Sequence, residues 1–153
     1  MNSSDFKIGL LKSYGYLSGY IDQADFCIYN KALGTHNFGK AQTDAYVQAS
    51  EIVKLINQKN QLVDLSNVLT NALNGLTEEE RKLLVLRYVK GQVAGDVMVK
   101  LGLTKGKYYV RANKALENFE KHLKYDGVDE EWFKESYSKK PWFRRLINFA
   151  NDK

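Results

Sequence analysis

One cysteine, one proline and two histidines are all that this 153-residue chain contains of those residue types. A lone Cys27 excludes an intramolecular disulfide. With only His36 and His122 beside it, no Cys/His zinc site is expected, and no metal or cofactor. No apolar run approaches the ~20 residues needed to span a bilayer, so no membrane association is expected. The opening Met1-Asn2-Ser3-Ser4-Asp5 has neither the basic start nor the apolar core of a signal peptide, and a cytoplasmic protein is expected. Catalytic signatures are also missing: there is no phosphate loop, no Gly-x-Ser-x-Gly elbow and no His-Glu-x-x-His pair. No enzyme activity is expected. With Pro141 as the single proline, long stretches are free to be helical.

What the chain does have is enough apolar material for a core and a charge distribution that is far from even. Hydrophobic residues are 44% and charged residues 27% of the sequence, ordinary globular usage. Residues 1–80 hold 6 Lys+Arg against 9 Asp+Glu, a net of −3; residues 81–125 hold 11 against 3, a net of +8; residues 126–153 hold 6 of each. The whole positive excess therefore lies in 45 residues, the kind of confined field that a polyanion-binding surface needs. A solvated basic helix face is the plainer alternative.

Periodicity gives an all-α fold. Leu10, Leu17 and Ala24 recur every seven residues, as do Tyr14, Ile21 and Ile28, an apolar stripe on a helix from about Asp5 to Ala32. Gly34-Thr35-His36-Asn37-Phe38-Gly39 reads as a loop, with His36 an ordinary surface histidine. A second long helix, from about Thr43 to Asn74, carries Leu55, Leu62, Leu69 and Leu76 at sevenfold spacing, with Leu65 and Ala72 on the same face. Two such helices joined by a short loop form an antiparallel hairpin most simply, and their narrow stripes call for partners. Gly15 and Gly19 are costly in a helix interior, ~1 kcal/mol each against alanine; they mark either a close helix approach, across a dimer seam for instance, or a local kink.

From Gly75 the pattern changes. Thr77-Glu78-Glu79-Glu80 matches a capping box, and its three acids suit the positive end of the helix dipole without any catalytic role. Leu83, Leu84, Leu86 and Val89 form a buried face, and Gly91 is placed as a left-handed cap. A short helix from about Val93 ends at Gly102, and Thr104 caps a helix running to about His122 or Lys124. This is helix-turn-helix spacing. On the last helix Tyr108, Ala112, Ala115, Leu116 and Phe119 share the inner side. Lys105, Gly106, Tyr109, Val110 and Asn113 take the outer one, flanked by Lys107 and Lys114. An α-helix fits the major groove, where lysine meets guanine or phosphate and asparagine pairs with adenine. The helix N-terminus at Thr104 and Lys105 suits a phosphate.

These residues carry a resemblance. The run from Leu76 to Tyr88 resembles the opening of region four of bacterial sigma factors, Leu101-Gly102-Leu103-Thr104 resembles its turn, and Lys114 to Phe119 its closing helix. The match covers about residues 75–123 and three helices in order. A long helical hairpin followed by this module resembles phage-encoded transcriptional regulators of the ArpU/RinA type, a family associated with late phage genes. The resemblance implies DNA contacts at Lys105, Gly106, Tyr109 and Val110. With the flanking positions, the candidate DNA-binding set is Thr104, Lys105, Gly106, Lys107, Tyr109, Val110, Arg111, Asn113 and Lys114. The chain departs from the family where alanine is usual, at Met98, where a reader is usual, at Gly106, and where an aliphatic residue is usual, at Arg111, which must reach around the helix or sit at its edge.

Three segments follow: 1–74, a helical hairpin for interaction or oligomerisation; 75–124, the helix-turn-helix; and 125–153, an amphipathic extension. In the last, Trp142, Leu146, Phe149 and Ala150 share a face opposite Arg144 and Arg145. The favoured expectation is a tail that folds back and buries its own aromatics. A partner-binding peptide or a membrane-surface helix is the sharper alternative. The function expected is a sequence-specific double-stranded DNA-binding transcriptional regulator, a phage or prophage late-gene activator working with host RNA polymerase and forming homo-oligomers through the N-terminal helices. The alternatives are a small-terminase-like protein that recognises phage DNA for packaging, and an interaction protein that uses the fold without DNA.

Overall fold

The computed structural model describes residues 5–37 and 42–152, and among them there are seven α-helices, one π-helical turn and no strand. The helices are α1 (Asp5–Asn37), α2 (Gln42–Asn74), α3 (Glu78–Leu84), α4 (Ala94–Leu101), α5 (Lys105–Tyr125), α6 (Glu130–Lys139) and α7 (Pro141–Asn151). The π turn, Val85–Val89, continues directly from α3 and is closed by Lys90 N donating to Val85 O at 2.8 Å. The all-α class read from periodicity is what the chain adopts. One correction concerns the loop expected at Gly34–Gly39: α1 runs on through Asn37, because a glycine costs less than giving up a continuing hydrogen-bond ladder. Phe38 and Gly39 lie outside the described residues, as does the His36 side chain.

The chain divides into two compact units, 17–66 and 1–16 together with 67–153. In the first, α1 and α2 run antiparallel: stepping back along α1 from Lys31 to Asp25 steps the ion-paired partner on α2 forward from Glu51 to Lys59. Leu17, Leu62 and Leu65 are buried. Towards the distal end the stripe thins, and Ile21, Ala24, Ile28 and Leu55 are only half-buried. Phe26, Tyr29, Tyr46 and Val53 are exposed there, since two helices alone leave most of each other's circumference uncovered.

The second unit holds the larger core. Phe6, Leu10 and Leu11 of α1 and Leu69, Ala72 and Leu73 of α2 are buried, as are Leu83, Leu84, Val97, Tyr108, Phe119 and Leu123. Tyr14 and Thr70 join α1 to α2 by a 2.8 Å hydroxyl–hydroxyl hydrogen bond. Gly15 lies against the π turn, where a Cβ would stand 3.2 Å from Val89 O. This matches the close-approach reading, the less favoured of its two alternatives, but within one chain, whereas Gly19 has nothing within 4 Å of its Cβ position. Val97 fills the inner position of α4, and the bulkier Met98 is only half-buried.

The C-terminal extension folds back, as the favoured expectation had it. Asp129 caps α6 by accepting from Trp132 N at 2.8 Å, and Pro141 opens α7. The Phe133 and Phe143 rings meet edge-on at 5.2 Å, Phe6 lies 6.1 Å from Phe133, and Tyr16 meets Phe149 edge-on at 5.1 Å. Trp142, Phe143, Leu146, Ile147 and Ala150 are buried. Together these rings replace water with the apolar contact that a lone amphipathic helix lacks.

Candidate nucleic-acid interface

Caps delimit the segment expected to form a helix-turn-helix. Thr77 Oγ1 accepts from Glu80 N at 3.2 Å while Glu80 Oε1 accepts from Thr77 N at 3.1 Å, so the capping box closes both ways. Gly91, at φ +71°, ends the π turn, with Gln92 N donating to Leu86 O at 3.0 Å. Gly102, at φ +65°, ends α4, and Leu103 N donates to Met98 O at 2.9 Å. Both glycines occupy the left-handed region that side-chain-bearing residues enter only with strain. Thr104 then caps α5, its hydroxyl accepting from Lys107 N at 3.4 Å.

From this turn α5 emerges with two distinct sides. Tyr108, Ala112, Ala115, Leu116, Phe119 and Leu123 are buried, which includes every inner position read from the sequence. Thr104, Lys105, Gly106, Lys107, Tyr109, Val110, Arg111, Asn113 and Lys114 are all exposed. The Tyr109 ring is steadied by an edge-on contact with buried Tyr108 at 5.2 Å. Lys105, Lys107, Tyr109 and Asn113 are thus accessible in the N-terminal half of α5.

Two members of the candidate set are engaged within the protein. Arg111 is ion-paired with Glu79 of α3. Lys114 lies beside Glu80 in a groove of about 380 Å³ lined also by Glu79, Arg111 and Asn118. Burial pushes the Glu80 carboxyl up, but hydrogen bonds from Thr77 and Asn118, helped by the Lys114 charge, outweigh it and hold the group below its ordinary value. Asn118 Nδ2 donates to Glu80 Oε2 at 2.6 Å. The acidic first turn of α3 therefore tempers the positive field at Arg111 and Lys114, although among the described residues Arg111 alone of the set is ion-paired.

A second basic cluster escaped the sequence reading. Lys12 of α1, Arg87 of the π turn and Lys90 just after it line a groove of about 280 Å³, together with Tyr16 and Tyr88. Arg87 and Lys90 are visible in the basic stretch of sequence, but Lys12 lies in an acidic segment 75 positions before Arg87, and only the Gly15 contact would have hinted at it. Among the described residues no group of three or more His, Cys, Asp or Glu side chains is placed to hold a metal ion, and no helix is long and apolar enough to cross a membrane. No protein-family model, curated protein or solved structure matches this chain.

Proposed function

We propose that the chain is a sequence-specific double-stranded DNA-binding transcriptional regulator that reads the major groove with α5. One observation carries this reading: a capped helix after a left-handed glycine turn buries its whole apolar side and leaves Lys105, Lys107, Tyr109 and Asn113 accessible on the other. The electrostatics support it, since the +8 segment 81–125 contains this helix and the elements that hold it. In the proposal Tyr109 and Asn113 contact base edges, Lys105 and Lys107 contact phosphates, and the phage or prophage late-gene role follows from the resemblance to regulators of the ArpU/RinA type. The exposed Phe26, Tyr29, Tyr46 and Val53 of unit 17–66 support an interaction role for the hairpin, with RNA polymerase or a second copy as the partner. Selection of bound sequences from a random duplex library by the full chain tests the reading. Enrichment of one motif supports it, and uniform recovery of all sequences overturns it. A ring-shaped oligomer of eight or more copies in solution would favour the DNA-packaging role over regulation.

A further inference from the structure

We propose that Lys12, Arg87 and Lys90 form a seat for a DNA backbone phosphate beside α5, so that the first helix takes part in DNA binding. The proposal rests on the reading of α5 as the DNA-contacting helix and adds a site on two elements that this reading leaves out.

Charge comes first. The groove has three cationic side chains and no carboxylate in its wall. Among the described residues none of the three forms an ion pair, in contrast to Arg111 with Glu79 and Lys7 with Glu120. Three converging cations repel one another, and an anion between them relieves that repulsion.

Organisation comes second. The Arg87 guanidinium is already held: Nη1 donates to Gln92 O at 3.3 Å, and its carbon lies 5.1 Å from the Tyr88 ring centroid. One donor is spent of the five that a guanidinium carries, so the fork is oriented with donors to spare. Lys12 is brought in by Gly15. With no Cβ to meet Val89 O, α1 lies directly on the π turn, and Lys12, one turn earlier, stands on the same face of α1.

Position comes third, and it selects a duplex backbone over a free anion. Tyr88 forms part of the groove wall. Arg87, Tyr88 and Val89 belong to the π turn, which continues directly from α3, and α3 packs against α5. The groove thus lies on the element that supports α5. A helix in the major groove is flanked by backbone phosphates, and the elements supporting it are where those phosphates are met.

The test titrates the full chain with a fluorescent random-sequence duplex at about 50 and 200 mM salt. Lys12→Gln and Lys90→Gln keep most of each side chain's length and remove its charge. Each should weaken binding at the lower salt and reduce the slope of log affinity against log salt by about 0.9, so that the wild-type advantage shrinks about threefold between the two salts. Lys139→Gln, on α6 and paired with Glu135, should bind like wild type. Should Lys12→Gln lower thermal stability, the exposed Lys90 decides alone. If both variants match wild type in affinity and slope while Lys107→Gln falls, the phosphate seat is wrong and the α5 reading stands. If the unmodified chain binds no duplex at either salt, both are wrong.

Discussion

Arg111, in the N-terminal half of α5, is ion-paired with Glu79 in the first turn of α3. The two side chains are 45% and 54% exposed, so the pair contributes little to stability, ~0–1 kcal/mol. Its consequence is electrostatic: a cation that sequence position nominates for DNA is answered from within the protein. The candidate surface on α5 is thereby graded, with its uncompensated charge at the N-terminal end.

That grading separates the lysines. Lys107→Ala should weaken binding to all duplexes alike and lower the salt slope by about one unit, whereas Lys114→Ala, beside Glu80, should do so less. Tyr109→Ala and Asn113→Ala should instead relax preference at one or two base pairs, at ~1–3 kcal/mol for the preferred site. Affinities across a duplex library at two salt concentrations check this. Loss of neither preference nor affinity in the Tyr109 and Asn113 variants would remove α5 as the reader.

Glu80 should make stability depend on pH. Its carboxyl titrates below the ordinary value of 4.5 in the folded chain. A depressed folded pKa means that the stabilisation is fully present above the unfolded value and is lost as pH falls through the folded one. Glu80→Ala should therefore cost about 1–2 kcal/mol near neutrality, and the gap from wild type should narrow progressively below about pH 4.5. Urea melts at pH 7 and pH 3 measure it; a gap of constant size would mean that the carboxylate charge plays no part.

Lys7 and Glu120 join α1 to α5 at 3.5 Å, with side chains only 10% and 19% exposed. Glu120→Ala leaves the Lys7 ammonium poorly solvated and without its ion-pair partner, and should cost ~1–3 kcal/mol. The double variant Lys7→Met/Glu120→Leu should recover much of that loss, since apolar replacement of a buried pair is often close to neutral. Denaturant midpoints of the single and double variants decide, and equal losses would show that the penalty is not an unpaired charge.

Gly102→Val should cost ~1–3 kcal/mol through backbone strain at φ +65°. Nothing lies within 4 Å of its Cβ position, so crowding would not be the cause, and Gly102→Asn should be milder because asparagine tolerates the left-handed region. A melting temperature unchanged by valine would contradict the strain argument.

Much of this architecture was legible because its signals are local. The Thr77/Glu80 box, the caps at Gly91 and Thr104, and the inner side of α5 each depend on residues within a turn or two of one another. The π turn was not legible, because Val85 to Val89 read as ordinary helix and the extra residue per turn depends on how that segment packs. Gly34 misled for the opposite reason: a loop-forming residue was overridden by the continuing helix.

Sequence alone determined the helical class, the caps, the separation of charge along the chain and which side of α5 turns inward, since helical period and capping chemistry act over a few residues. Tertiary structure alone decided which charges are answered and which are left over. Arg111 meets Glu79 from 32 positions away, and Lys12 joins Arg87 and Lys90 because a missing Cβ at Gly15 lets α1 lie on the Val89 carbonyl. Coulomb interactions depend on distance in space, and only the folded core brings residues so far apart in the chain within that reach.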